Sequence, residues 1–167
     1  MKNIHILPTN KPSRLVKIYN DVNRETFTLQ LDVEVNGSFK EYVNISITSD
    51  EEIKKGDWVL NPIYKTVYKW IKNSDIYFDR IDAKKIILTT NDQLIKDGVQ
   101  AIDDEFLEWF VKNPSCESVE VENKKLFDGF LDPEYGSSKW RFEYKIIIPK
   151  EESKQELSLK INDEFLD

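Results

Sequence analysis

Histidine, cysteine and methionine occur once each in this chain of 167 residues, glycine five times and proline six. These scarcities exclude much. A single cysteine, Cys116, cannot build an intrachain disulfide framework and argues for a reducing compartment. It lies among acids, which disfavour the thiolate and hence a nucleophilic role. A single histidine, His5, leaves Ser–His, Cys–His and histidine-based zinc chemistry without their usual parts. Five glycines scattered singly cannot form a phosphate-cradling loop. No apolar run approaches the ~18–20 residues of a membrane-spanning helix. The opening MKNIHILPTNKPSRL lacks the apolar core of a signal peptide. The expectation is a soluble intracellular protein with no cofactor and no metal.

Hydrophobic residues make up 40% of the chain and aromatics 12%, enough for one sizeable core. Residues 1–149 read as a single domain and 150–167 as a polar C-terminal tail. The net charge of −7 is unevenly spread: residues 97–122 hold eight acids and one base, whereas 54–72 hold five lysines and one acid. An acidic chain is a poor general binder of nucleic acid, because phosphate neutralisation supplies most of that affinity. The local positive stretch keeps such a contact open, although charge runs are commonly solvated faces.

The sharpest local signals lie between Lys84 and Val121. Residues 84–90 are an apolar, β-branched run that predicts a strand. Asn91 and Asp92 offer a cap for a short helical piece ended by Gly98. Asp103 is placed as N-cap of a helix over about 102–112, with Asp104 and Glu105 at the positive end of its dipole. Ile102 and Leu107 are spaced as a hydrophobic staple, and Phe106, Leu107, Phe110 and Val111 share one apolar face. Lys112 suits the last turn, Asn113 a left-handed stop, and Pro114 forbids continuation. Val119 and Val121 then alternate in a strand, so 84–121 reads as a strand–helix–strand crossover.

Elsewhere, residues 3–7 and 15–19 predict short strands. The alternation over 26–35, the Asn36-Gly37 turn and the returning run 39–47 predict a β-hairpin. Ser49 and Glu52 have capping-box spacing, which predicts one helical turn over 50–55 ended by Gly56. Residues 57–60, 64–71, 76–78 and 140–148 predict further strands. Together these give an α+β class: a bent, mostly antiparallel sheet or small partial barrel with the capped helix packed on it.

Three segments resemble a family of small proteins of phages and prophages of Bacteroidota-type bacteria. They are HILPTNKPSRL, then ITSDEEIKKGDWVLNP with KKIILTTNDQLIKDGVQAIDDEFLEWFVKNPSCESVEV, and YKIIIPKEESKQE, together about half the chain. Some members of that family carry a cysteine-rich insert before the final strand; this chain has none there. The resemblance implies a context rather than an activity: a phage-encoded protein in the cytoplasm of an infected bacterium.

No catalytic constellation stands out, so the expectation is a non-enzymatic interaction protein. Two surfaces compete for the contact. The first is Asp103, Asp104, Glu105 and Glu108 with Trp109, an acidic patch whose tryptophan is either a partner anchor or a core-edge residue. With the phage context it suggests an acidic, anti-CRISPR-like inhibitor that docks on a basic nuclease or nucleoprotein, such as an RNA-guided defence nuclease. The acids also have a plainer role in capping the helix. The alternative is a small-barrel module that binds nucleic acid or nucleotide through Lys54, Lys55, Trp58, Lys65, Tyr68, Lys69 and Trp70, with Tyr64, Tyr77 and Phe78 nearby. Here the plainer role is core on one side of the strands and lysine-coated edge on the other.

Overall fold

In the computed structural model, the described residues are 1–19, 25–29, 39–71, 82–132, 134 and 136–150. Among them, in chain order, are β1 (Ile4–Thr9), β2 (Leu15–Tyr19), β3 (Glu25–Leu29), β4 (Phe39–Ser49), β5 (Trp58–Asn61), β6 (Thr66–Lys69), β7 (Lys84–Thr89), α1 (Asp92–Lys96), β8 (Gln100–Ala101), α2 (Asp104–Lys112), β9 (Glu120–Asp132) and β10 (Ser137–Ile147). The larger sheet runs β3-β2-β4-β7-β5-β6, with β1 added on β4 and β8 on β7. Among the described residues, only the β7–β8 pair is parallel. The α+β, mostly antiparallel reading therefore stands. The two ends of the sheet, β3 and β6, do not pair, so no barrel closes among the described residues.

β4 organises this sheet. Its 11 residues accept β1 along one edge, from Ile4↔Ile47 to Thr9↔Tyr42. The other edge takes β2 over Phe39–Val43 and β7 over Ser46–Ser49, end to end. Strand alternation gives β4 two different faces. Val43, Ile45 and Ile47 enter the main core with Ile4, Leu15, Phe27 and Ile87. Asn44, Ser46 and Thr48 face the other way and are nevertheless buried. That is tolerated because they are bonded: Ser46 Oγ lies 3.1 Å from Thr89 Oγ1, Thr48 Oγ1 lies 3.1 Å from His5 Nε2, and the Thr90 hydroxyl reaches Asn44 Oδ1 at 3.4 Å.

Helix α2 closes the apolar face. Phe106, Leu107 and Phe110 are fully enclosed, and the Phe110 ring sits 5.6 Å from that of Phe27. Each such side chain contributes on the order of 1.5–3 kcal/mol by leaving water. The N-cap forms as its chemistry requires: Asp103 Oδ1 accepts the Phe106 N–H at 2.9 Å. The C-terminal end differs from expectation. Asn113 has φ −128°, not a left-handed conformation. Its N–H is shared between the carbonyls of Trp109 and Phe110, and its Nδ2 donates to Trp109 C=O at 3.0 Å. Those bonds satisfy the last turn without the left-handed residue. At α1 the capping prediction stands: Asn91 Oδ1 accepts from Gln93 and Leu94, and Gly98 ends the turn at φ +104°.

Three further expectations are corrected. The turn over 50–55 is not helical. Its groups have other partners: Ser49 closes β4 and accepts the Glu51 N–H, Asp57 Oδ2 takes the Lys54 N–H at 2.8 Å, and the Glu51 carboxylate accepts the Tyr144 hydroxyl. The predicted hairpin does not pair β3 with β4; β2 lies between them, and the Asn36-Gly37 turn falls outside the described residues. The crossover from 84–90 to 118–121 does not reunite in one sheet. β7 takes only the two-residue β8 as its parallel partner, and the strand that begins at Glu120 joins a separate two-stranded ribbon, β9–β10. Residues 150–167, apart from Lys150, and the strand expected at 76–78 lie outside the described residues.

Candidate functional site

The acidic residues of α2 divide by duty. Asp103 is the N-cap, and Asp104 forms an ion pair with Arg14. Glu105 and Glu108 are exposed and have no ion-pair partner among the described residues. Trp109 is not an exposed anchor. It packs against the main core with its ring 5.7 Å from Phe106, and its Nε1 is enclosed with no hydrogen-bond acceptor among the described residues. Of the two roles open to it, the core edge is the one it takes.

The lysine–aromatic stripe is split by the β5–β6 hairpin. Cross-strand partners share a face, so Trp58 and Lys69 lie together while Val59 and Tyr68 lie on the other side. Trp70 extends the pairing past Lys69, its N–H donating to Asp57 C=O at 2.8 Å. Lys54 and Lys55 are exposed in the turn before Gly56. Lys65 sits at the opposite end of the hairpin, in its tip, with φ 53°. The seven residues therefore do not form one surface. Tyr77 and Phe78 fall outside the described residues.

Trp58 and Lys69 converge on Asp97, which follows α1. The indole Nε1 donates to Asp97 Oδ2 at 2.6 Å and Lys69 Nζ to the same oxygen at 2.7 Å. The hydrogen bond from Lys69, then that from Trp58, holds the Asp97 carboxyl below its ordinary range. A cleft of about 250 Å³ opens beside this group, and across it stand Phe142 and Tyr144 of β10.

Phe142 leads to residues that sequence reasoning did not select. The register places Trp140 opposite Phe127 and Phe142 opposite Lys125, so these four side chains share one face of the ribbon. Phe127, Trp140 and Phe142 are 49%, 48% and 56% exposed. Lys125 Nζ stands 4.8 Å from the Trp140 ring centroid, and the Phe127 ring meets Trp140 edge-on at 5.2 Å. Farther down the same face the ribbon is fixed to the body. The Tyr144 hydroxyl donates to Glu51, and its backbone is bracketed by the Gln100 amide at 2.7 and 2.8 Å. Burial, then the Glu51 bond, raises the Tyr144 pKa and keeps it a neutral donor. The legible clue was the WRFEY alternation, which puts Trp140, Phe142 and Tyr144 on one face; it did not say that the outer two stay about half exposed. Arg141 and Lys139 approach Asp128 at 3.5 and 3.7 Å.

The arrangement can stack planar groups and hold negative charge. Among the described residues, no three of His, Cys, Asp and Glu come together as a metal site, and no helix is long and apolar enough to cross a membrane. The chain matches no family model, no curated protein and no solved structure.

Proposed function

We propose that this is a non-enzymatic binding protein that takes single-stranded nucleic acid on the aromatic side of the β9–β10 ribbon and the adjoining Trp58–Lys69 cleft. The observation that carries the reading is the half-exposed trio Phe127, Trp140 and Phe142 with Lys125 over the indole. Base stacking on such side chains is worth about 1–3 kcal/mol per base and tolerates any sequence. Lysines beside them supply the phosphate contacts, which makes binding salt-sensitive. Titration of the full chain with a fluorescein-labelled oligothymidylate tests it. The expected result is saturable binding that weakens with salt and is lost in Trp140→Ala with Phe142→Ala; an oligonucleotide that never binds at low salt contradicts it.

A second reading rests on Glu105 and Glu108, exposed on α2 and without an ion-pair partner among the described residues. In the phage context implied by the resemblance, with the infected bacterial cytoplasm as its location, this acidic surface would dock on the basic channel of a host defence nuclease. Charge reversal at Asp103, Asp104, Glu105 and Glu108 is its test: an interaction with such a nuclease that survives all four changes rules the reading out.

A further inference from the structure

A cleft of about 610 Å³ runs beside β1 and is lined from both faces of that strand, by Ile4 and Ile6 on one side and His5 and Leu7 on the other. Its walls come from the segment Pro114–Glu117, from Phe27 and Lys17, and from Leu60, Pro62, Lys65 and Lys84. Two bonds fix how the backbone of β1 is turned. The Thr48 N–H donates to Asn3 C=O at 3.0 Å, towards β4, while the Ile4 N–H donates outward to Glu117 C=O at 3.0 Å. By strand alternation His5, Leu7 and Thr9 direct their backbone groups at β4. The Ile6 N–H and the carbonyls of Ile4, Ile6 and Pro8 therefore point into the cleft, where no described residue bonds them. Glu117 supplies the first rung of a ladder that stops there.

An unpaired edge is a template for another strand, and addition of an extended peptide to such an edge is an established mode of recognition. Pro8, which has no N–H, and the cleft walls keep the site short. Chemistry of the walls defines the occupant. Ile6, Phe27 and Val43 give one side apolar surface, rimmed by the Lys17–Glu25 ion pair and by Glu41, which accepts the Tyr19 hydroxyl; the His5 side carries Lys2, Lys65 and Lys84. Lys2 pairs with Glu117 and Lys84 with Asp50, but Lys65 has no carboxylate partner among the described residues. Burial, then the positive field of Lys2 and Lys84, holds the His5 pKa at about 4. We infer that the free edge of β1 binds an extended segment of a partner protein in which apolar residues alternate with acidic ones, apolar against Ile6 and Phe27 and acidic towards Lys65. This inference stands apart from the proposed function and uses no residue of the ribbon face or of the Trp58–Lys69 pair.

Amide NMR and hydrogen exchange on the full chain test it, with a short end-capped peptide alternating valine and glutamate as probe. The expected result is saturable shifts centred on Ile6, at least tenfold slower exchange of the Ile6 amide, and at least fivefold weaker binding in Lys65→Glu. Lys65 is exposed, so that variant keeps its fold, which circular dichroism verifies. Absence of saturable shifts at Ile6 overturns the inference, as does equal binding of a valine–lysine peptide. Ile6 protection that rises with protein concentration, without peptide, assigns the edge to a second copy and also overturns it. Peptide binding that appears only after removal of residues 151–167 assigns the edge to the chain itself, with the same consequence.

Discussion

Three aromatic residues of α2 and three of the β9–β10 ribbon are placed in opposite ways. Phe106 and Phe110 are fully enclosed and Trp109 packs beside them, whereas Phe127, Trp140 and Phe142 stay about half exposed. The cause is what each element faces. α2 has an apolar stripe and a whole sheet to cover, so its aromatics become core. The ribbon is two strands with no described residue layered on its outer half, and such a pair is marginal in water without a hydrophobic partner. Aromatic residues half exposed there bury less apolar surface than those of α2 and so contribute less to folding. Charge differs too: α2 shows Glu105 and Glu108 to solvent, whereas the aromatic face of the ribbon shows its rings with Lys125.

If the comparison is right, truncation has unequal costs. Phe110→Ala should lose about 3–5 kcal/mol in chemical denaturation, the range for a large buried aromatic. Phe142→Ala should stay within ~0.5 kcal/mol, as surface changes do. Equal losses would erase the distinction.

A pH scan separates the body from both surfaces. Burial lowers the folded pKa of His5 from 6.5 to about 4. The unfolded chain therefore takes up the proton first as pH falls. Stability is complete above about pH 6.5 and declines progressively towards pH 4, by at most about 3 kcal/mol. Thermal melts at stepped pH should show this slope, and His5→Gln should flatten it.

Trp140→Ala should weaken oligonucleotide binding by about 5–150-fold, the equivalent of ~1–3 kcal/mol for one stacked base, with an unchanged melting temperature. Asp103→Ala should cost ~1 kcal/mol of stability by leaving the Phe106 N–H without its cap, measurable by urea titration, and should leave oligonucleotide binding intact. The smallest effect belongs to Glu105→Lys with Glu108→Lys: stability within ~0.5 kcal/mol and no loss of oligonucleotide affinity.

What could be read along the chain was what depends on neighbours a few residues apart. The α2 cap at Asp103, its buried face, the Asn91 cap and most strands all follow from such spacing. Pairing did not. Nothing local to β3 or β4 reports that β2 lies between them, because that order is decided by which edges of β4 remain free. The Ser49–Glu52 spacing was locally correct, yet Ser49 closes β4, and next to it Asp57 takes the Lys54 N–H and Tyr144 the Glu51 carboxylate. For the candidate site, Trp58 and Lys69 were legible as types, but their convergence on Asp97 is tertiary. The ribbon aromatics at 140–148 were legible as part of a strand, but alternation shows which residues share a face, not whether a layer covers that face.

The most direct test sets two variants side by side in one oligothymidylate titration of the full chain at low salt. Trp140→Ala with Phe142→Ala should abolish binding, while Glu105→Lys with Glu108→Lys retains it. Binding that survives loss of the ribbon aromatics would contradict the assignment of the working surface to the ribbon.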